Sequence, residues 1–229
     1  RDLRLEDNTA LIAALEKSEN VIPCFILDKR QLENNKYRSD NLVGFMINCL
    51  KELDNSLRKK GGRLYMFYDN SDQAVEKVLI QNNIQAVYFN ADHTPFSRKR
   101  DENIEKICRK KGIECNIFHD ALLNPPGTVL KDDSKPYTIF TPFMRKSKLI
   151  PVSKAVNNHH KNYYVEKING EAEKEIFEKI LPYKNQNVLL KGGLKEAIHL
   201  LGKAKNLKNY SEDRNIPSKE GTTLLSAHN

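Results

Sequence analysis

The sequence predicts an α/β fold with a doubly wound parallel sheet. Short apolar runs rich in β-branched and aromatic residues recur through the first half of the chain, and stretches with helical apolar spacing separate them. A run that is apolar on both faces is how a parallel strand reads when helices cover it from either side. The alternation is regular and the connections are short, as crossover helices between parallel strands require.

Residues 9–18 (TALIAALEKS) carry apolar residues at helical spacing, with Asp7 or Asn8 placed to cap the first turn. Residues 21–27 (VIPCFIL) read as a buried strand, and 40–60 as a helix punctuated by Gly61-Gly62. A second strand is expected at 63–68 (RLYMFY), then a helix capped by Ser71 or Asp72 and running to about Gln81. Residues 86–90 (AVYFN) give a third strand, 97–111 a basic helix, and 113–118 (IECNIF) a fourth strand. All four are expected in one parallel sheet. The chain opens on Arg1-Asp2-Leu3-Arg4, polar material leading straight into a helix. A doubly wound domain ordinarily opens with a strand, often the central one, so a strand ahead of Arg1 is expected. Leu225 to Asn229 reads as a helix opening, so the far end is expected to be cut short as well.

After Phe118 the pattern changes. Residues 124–127 (NPPG) form a turn-rich corner, and 151–170 have no clear period and read as a connector. From Gly192 a helix follows with Leu194, Ala197, Ile198 and Leu201 on one face. There is no internal repeat.

Composition bounds the function. With 229 residues and 39% hydrophobic content the chain can build a core, and no apolar run approaches the ~20 residues of a membrane span. The cysteines, Cys24, Cys49, Cys108 and Cys115, form no CxxC pair and suit free thiols in a reducing cytosol or nucleus. A formal net charge of +8 points toward polyanions, although scattered lysines also simply solvate a surface. His159-His160 are adjacent in a Lys/Asn-rich stretch and make a poor metal site, while His93, His119 and His199 stand alone. There is no P-loop, no G-x-S-x-G and no G-x-G-x-x-G.

Four segments carry more. They are RDLRLEDN (Arg1 to Asn8), TPFSRKRD (Thr94 to Asp101), NPPGTVLKDDSKPYTIFTPFMRK (Asn124 to Lys146) and YSEDRNIPSKEGTTLLSAHN (Tyr210 to Asn229). In this order and at these spacings the chain resembles the DNA photolyase/cryptochrome family. The resemblance implies a photolyase-type α/β antenna domain over 1–145, a connector over 146–190 and the start of a helical FAD-binding domain over 191–229. It implies a fragment of a deoxyribodipyrimidine photolyase, an intracellular, monomeric carbon–carbon lyase. Such an enzyme repairs cyclobutane pyrimidine dimers in UV-damaged DNA by blue-light-driven electron transfer from reduced FAD. The alternative is a cryptochrome-type photoreceptor with no repair activity.

The resemblance also assigns residues. Tyr210, Thr222, Thr223, Leu224, Leu225 and Ser226 carry over as FAD contacts, and Arg214 as a DNA contact. The local chemistry is compatible, because hydroxyls at a helix start suit a pyrophosphate. The plain alternatives are a Thr/Ser helix cap and, for Arg214, a surface ion pair with Glu212 or Asp213. Relatives with a folate antenna carry Asn-Glu where this chain has Phe96 and Ser97, which disfavours folate and leaves the antenna chromophore unidentified. Family members reduce their flavin through tryptophans, and this sequence has none, so the 229 residues alone are expected to be inactive.

Overall fold

The structure is a computed structural model describing residues 2–33, 35–173, 175–181, 185, 188, 190–219, 221–223 and 225. Helix α1 (Thr9–Lys17) is capped by Asn8, whose side chain accepts from the Leu11 N–H at 3.1 Å. Asp7 instead adopts a left-handed φ of +51°, a conformation Asp tolerates better than most residues, and turns the chain into the helix. Strand β1 (Cys24–Asp28) follows. It starts three residues later than its apolar run because Pro23 has no N–H to give to a ladder. The Pro23 carbonyl still accepts from Tyr65 N–H at 2.9 Å.

A short α2 (Lys29–Leu32) leads to α3 (Asp40–Lys59), which buries Val43, Ile47, Leu50 and Leu57 along one stripe. Strand β2 (Tyr65–Asp69) lies parallel to β1, with Cys24 opposite Tyr65 and Asp28 opposite Asp69. Helix α4 (Ser71–Gln81) leads to β3 (Ala86–Asn90), α5 (Pro95–Lys111) and β4 (Glu114–Phe118). Helix α5 starts earlier than its basic stretch suggests, with Pro95 in its first turn and Thr94 accepting from Ser97 N–H. It ends on Gly112 at φ +67°, the left-handed conformation that glycine adopts without strain.

Strands β3 and β4 are parallel, with Ala86 opposite Glu114 and Asn90 opposite Phe118. All four expected strands are therefore extended and parallel to a partner. They form two hydrogen-bonded pairs, β1–β2 and β3–β4, rather than one continuous ladder. The largest apolar cluster joins α1, β1 and α3, and includes Leu15, Leu27, Ile47, Leu50 and Leu57. A second gathers Tyr65, Phe67, Ala74 and Ile168, and a third puts Leu79, Ile104 and Cys108 between α4, α5 and the second strand pair.

Beyond β4 come α6 (Phe140–Ser147), α7 (Ile176–Ile180), α8 (Leu194–Lys203), a 3₁₀ turn (Ala204–Asn206) and α9 (Tyr210–Asp213). The stretch 151–170 lacks periodicity because it is neither helix nor sheet, yet it docks on the α/β unit. Val21 N–H donates to the Asn162 carbonyl, Tyr164 N–H donates to Val21, and Ala172 N–H donates to Met66. Tyr163, Ile168, Ile176, Ile180 and Leu181 are buried. Among the described residues, no helix is long and apolar enough to cross a membrane.

Two polar side chains hold this packing. Asn158 is 1% exposed; it donates to the Leu5 carbonyl at 3.1 Å and the Tyr163 hydroxyl at 3.0 Å, and accepts from His160 N–H. Asp28, at the end of β1, accepts from the N–H and hydroxyl of Ser71 at 2.9 and 2.7 Å, tying the strand to the first turn of α4. It also accepts from the backbone N–H and Nε of Arg30, both at 2.9 Å. Burial works to raise the Asp28 pKa, but the hydrogen bonds from Arg30 and Ser71 outweigh it and bring it to about 2 from an ordinary 3.8.

Removing Asn158 leaves the buried Leu5 carbonyl without its donor, so Asn158→Ala should cost about 1–3 kcal/mol in urea unfolding. The exposed neighbour serves as control, and Asn157→Ala should stay within ~0.5 kcal/mol. Equal losses at both positions would show that the buried amide does not hold this segment.

Asp28 supplies a pH dependence. Its folded pKa is lowered, so its contribution is present above the unfolded value and is lost as pH falls through the folded one. Asp28→Asn should therefore cost about 2 kcal/mol above about pH 4, with the difference from the unaltered chain disappearing near about pH 2. Urea midpoints across that range check this, and a difference that persists at about pH 2 contradicts it.

Candidate functional site

In open α/β sheets, ligands gather outside the carboxyl ends of the strands. Here that rim is formed by Asp28, Asp69, Asn90 and the residues following Phe118. The first motif is built into it. Asn90 accepts from Ala10 N–H at 3.1 Å and donates to Asn8 Oδ1 at 2.9 Å and to the Asp2 carboxylate at 3.1 Å. Asp120 accepts from the N–H and hydroxyl of Thr9 at 2.9 and 2.8 Å and pairs with Arg4 at 2.9 Å. Burial pushes the Asp120 carboxyl up, but Thr9 and Arg4 more than offset it and hold it below the ordinary range. Asp2, Arg4 and Asn8 thus seat α1 on the rim.

The second motif occupies the neighbouring part of the rim. The Thr94 hydroxyl donates to Ser97 Oγ at 2.8 Å, and the Ser97 hydroxyl donates to Asp92 at 3.1 Å. Phe96 lies under the Arg30 guanidinium, 5.1 Å from ring centroid to charge, while Arg30 bridges Asp28 and Asp72. Asp101 is raised by burial, which its pairing with Arg100 at 2.6 Å only partly opposes. His93 and His119 look isolated in sequence, but their rings stack with centroids 5.7 Å apart. The register explains this: Asn90 lies opposite Phe118, so both chains leave the paired strands at the same place. Only the pairing of β3 with β4, invisible in local sequence, could have shown it. Among the described residues, no group of His, Cys, Asp and Glu side chains could hold a metal ion.

The residues expected to contact flavin and DNA lie at the other end of the chain. Tyr210 opens the one-turn α9 and is 47% exposed. Arg214, one turn later, lies over the Tyr210 ring at 5.6 Å. Asp213 pairs with Lys219 at 2.6 Å, and among the described residues no ion pair is found between Arg214 and Glu212 or Asp213. Gly221 is buried against the Asp213–Arg214 peptide so closely that a side chain there would meet the Asp213 carbonyl carbon and oxygen. This fold-back sets Thr222 and Thr223 beside the end of α9. The Thr223 hydroxyl accepts from Leu225 N–H at 3.3 Å. Leu224 and Ser226 lie outside the described residues, as does most of the helix expected to open there.

Helix α8 departs from its expected packing. Leu194, Ile198 and Leu201 are more than half exposed, whereas Leu200 is buried. Its amino end sets this orientation. Glu52 of α3 accepts from Lys195 N–H at 3.0 Å, and Gly192 lies against the Phe45 carbonyl where no side chain fits.

The family described as DNA photolyase matches residues 1–157. An uncharacterised 31.6 kDa protein of Synechococcus sp. (strain PCC 6716) is 28% identical over 99% of this chain and 80% of its own length. The deoxyribodipyrimidine photo-lyase of Agrobacterium fabrum is 28% identical over 100% of this chain and 48% of its own. Among solved structures, the archaeal photolyase of Sulfolobus tokodaii with two FAD molecules superposes with a TM-score of 0.84 at 35% identity. That match covers 100% of this chain and 49% of that one. The chain therefore spans about half the length of the photolyases it matches. The matched region takes in the whole α/β unit from Asp2 to the end of β4, and on this basis the chain belongs to the DNA photolyase family.

Proposed function

We propose that this chain is the front part of a deoxyribodipyrimidine photolyase, a lyase that splits cyclobutane pyrimidine dimers in UV-damaged DNA under blue light. The observation that supports this reading is the fold-back at Gly221, which packs against the Asp213–Arg214 peptide and brings the segment of Thr222 and Thr223 close along the chain to Arg214. A cation and adjacent hydroxyls are a donor set for phosphate oxygens. The Gly221 backbone leaves room for close approach of chain to chain where a side chain would not fit. Thr222 and Thr223 suit the phosphate end of FAD, and Arg214 the phosphates of DNA. Reduced FAD, when bound, supplies the electron that opens the dimer. The protein's part is to hold the cofactor through Tyr210, Thr222, Thr223, Leu224, Leu225 and Ser226. Arg214 meets the DNA backbone, with the lesion flipped out toward the flavin.

The domain limits proposed are an antenna domain to residue 145, a connector to 190, and the opening of a helical flavin domain from 191. Folate stays disfavoured by the sequence pattern. Phe96 is engaged with Arg30, and Ser97 is buried in the Thr94–Asp92 relay. Neither is the Asn-Glu pair that the folate-binding pattern has at these positions. The second FAD of the Sulfolobus protein makes a flavin the antenna to test first.

These 229 residues should not repair DNA alone, because they contain no tryptophan and only the start of the flavin segment. The assay is a dimer-containing oligonucleotide with reduced flavin under blue light. Dimer loss above the no-protein control would sink this part of the reading. In the full-length protein the same assay separates repair from photoreception, since flavin photochemistry with no dimer loss would support a cryptochrome instead.

The residue roles separate in the full-length protein. Each hydroxyl hydrogen bond to a charged group is worth roughly 1.5–3 kcal/mol. Thr222→Ala with Ser226→Ala should therefore weaken flavin retention by about tenfold to a thousandfold. Arg214→Ala should leave the flavin spectrum intact while weakening binding to dimer-containing DNA and flattening its salt dependence. Flavin lost from Arg214→Ala, or fully retained by the double variant, reverses the assignment.

A further inference from the structure

The segment after α9 is closed against that helix twice, once by backbone and once by side chains. Ile216 N–H donates to the Asp213 carbonyl at 3.0 Å, Lys219 N–H to the Ile216 carbonyl at 3.0 Å, and Gly221 N–H to the Lys219 carbonyl at 2.8 Å. These turns return the chain to α9, where Gly221 lies on the Asp213–Arg214 peptide with no space for a side chain. The second closure is an ion pair. Lys219 Nζ donates to Asp213 Oδ1 at 2.6 Å.

Exposed ion pairs are generally worth little, but two features set this one apart. The first is burial. The Asp213 side chain is only 26% exposed, so water screens its charge less than that of its exposed neighbour Glu212. The second is position. Asp213 is joined directly to Arg214, an exposed residue whose guanidinium lies over the Tyr210 ring at 5.6 Å. Successive side chains in a helical turn do not face one another, and among the described residues no ion pair joins Arg214 to Asp213. Without Lys219, a partly buried carboxylate would stand uncompensated beside the cation proposed to meet DNA. Its field would repel the same phosphates that the guanidinium attracts.

We infer that Lys219 is a positioning residue for DNA binding: by holding Asp213 it cancels the negative charge adjoining Arg214 and leaves that arginine free for phosphate. Lys219 acts through Asp213 and makes no phosphate contact of its own. The inference rests on the proposed DNA contact of Arg214. It is independent of the flavin contacts assigned to Thr222, Thr223 and Ser226.

Binding of a dimer-containing duplex by the full-length, flavin-loaded protein at low salt tests it. At a separation of ~6 Å near a surface, one unit charge changes phosphate affinity by about threefold to tenfold. Lys219→Met should therefore weaken binding by about that factor, while Lys219→Arg stays close to the unaltered protein. The loss should depend on both neighbours. Asp213→Asn added to Lys219→Met should restore affinity to within about twofold, whereas Glu212→Gln on the same background should leave the loss in place. In an Arg214→Ala background, Lys219→Met should cost nothing further.

An equal loss with and without Arg214 marks a direct phosphate contact or a general charge effect, and overturns the inference. So does failure of Asp213→Asn to rescue. Flavin absorbance should be unchanged throughout. Flavin released by Lys219→Met also overturns it, since the pair would then be holding the cofactor segment. If Arg214→Ala leaves DNA binding intact, the contact assigned to Arg214 is wrong and this inference goes with it. If Arg214→Ala weakens binding and Lys219→Met does not, the inference alone falls.

Discussion

Asp120, one residue past β4, accepts two hydrogen bonds from Thr9 and pairs with Arg4, and so fixes the amino end of α1 to the carboxyl rim of the second strand pair. Much follows from that attachment. Helix α1 starts at this rim and packs on β3 and β4 before the chain enters β1. Asp28 at the end of β1 lies near the exit of β3, since its partner Arg30 stacks on Phe96 just beyond that strand. Asp28 in turn captures the first turn of α4 through Ser71. Two buried carboxylates therefore set where helices begin, each stabilised by N–H and hydroxyl donors that a helix leaves unpaired in its first turn.

The alternation of strands and helices was legible because it rests on local periodicity. VIPCFIL, RLYMFY, AVYFN and IECNIF all became parallel strands, since apolar β-branched and aromatic runs have little else to form between helices. What could not be read was pairing. The stacking of His93 on His119 and the separation into two sheets depend on register and on neighbours remote in sequence. Helix α8 shows the same limit. Its apolar stripe was visible, but its orientation is set by Glu52 and by Gly192 against Phe45, contacts with a helix some 140 residues earlier.

The first two motifs prove to be structural in large part. Asp2, Arg4 and Asn8 make rim contacts, and Thr94 and Ser97 cap α5. Sequence reading recovered them as a family signature without their physical role. The stretch 151–170 is the converse case. It has no pattern to read, yet it places Asn158, Tyr163 and Ile168 in the interior. Irregular backbone can be buried only where its polar groups find partners. Asn158, Asn162 and Tyr164 supply them by bonding to Leu5, Leu15 and Val21.

The formal charge of +8 carries less functional information than its size suggests. Many of the cations are committed to the fold. Arg30 pairs with Asp28 and Asp72, Arg63 with Glu171, Lys60 with Glu6 and Lys77 with Asp69. Arg109, Lys110 and Lys111 close the last turn of α5, where positive charge complements the helix dipole. These pairs leave the net +8 as it is, because their carboxylates are already subtracted in it, and they identify no particular surface for a polyanion. Arg214 differs in kind, because its neighbouring carboxylate Asp213 is held by Lys219 and its own contact is the face of Tyr210. A guanidinium held over a ring keeps its N–H donors directed outward. The case for nucleic-acid contact therefore rests on where one arginine is placed, beside the segment assigned to the cofactor, and not on the sum of the charges.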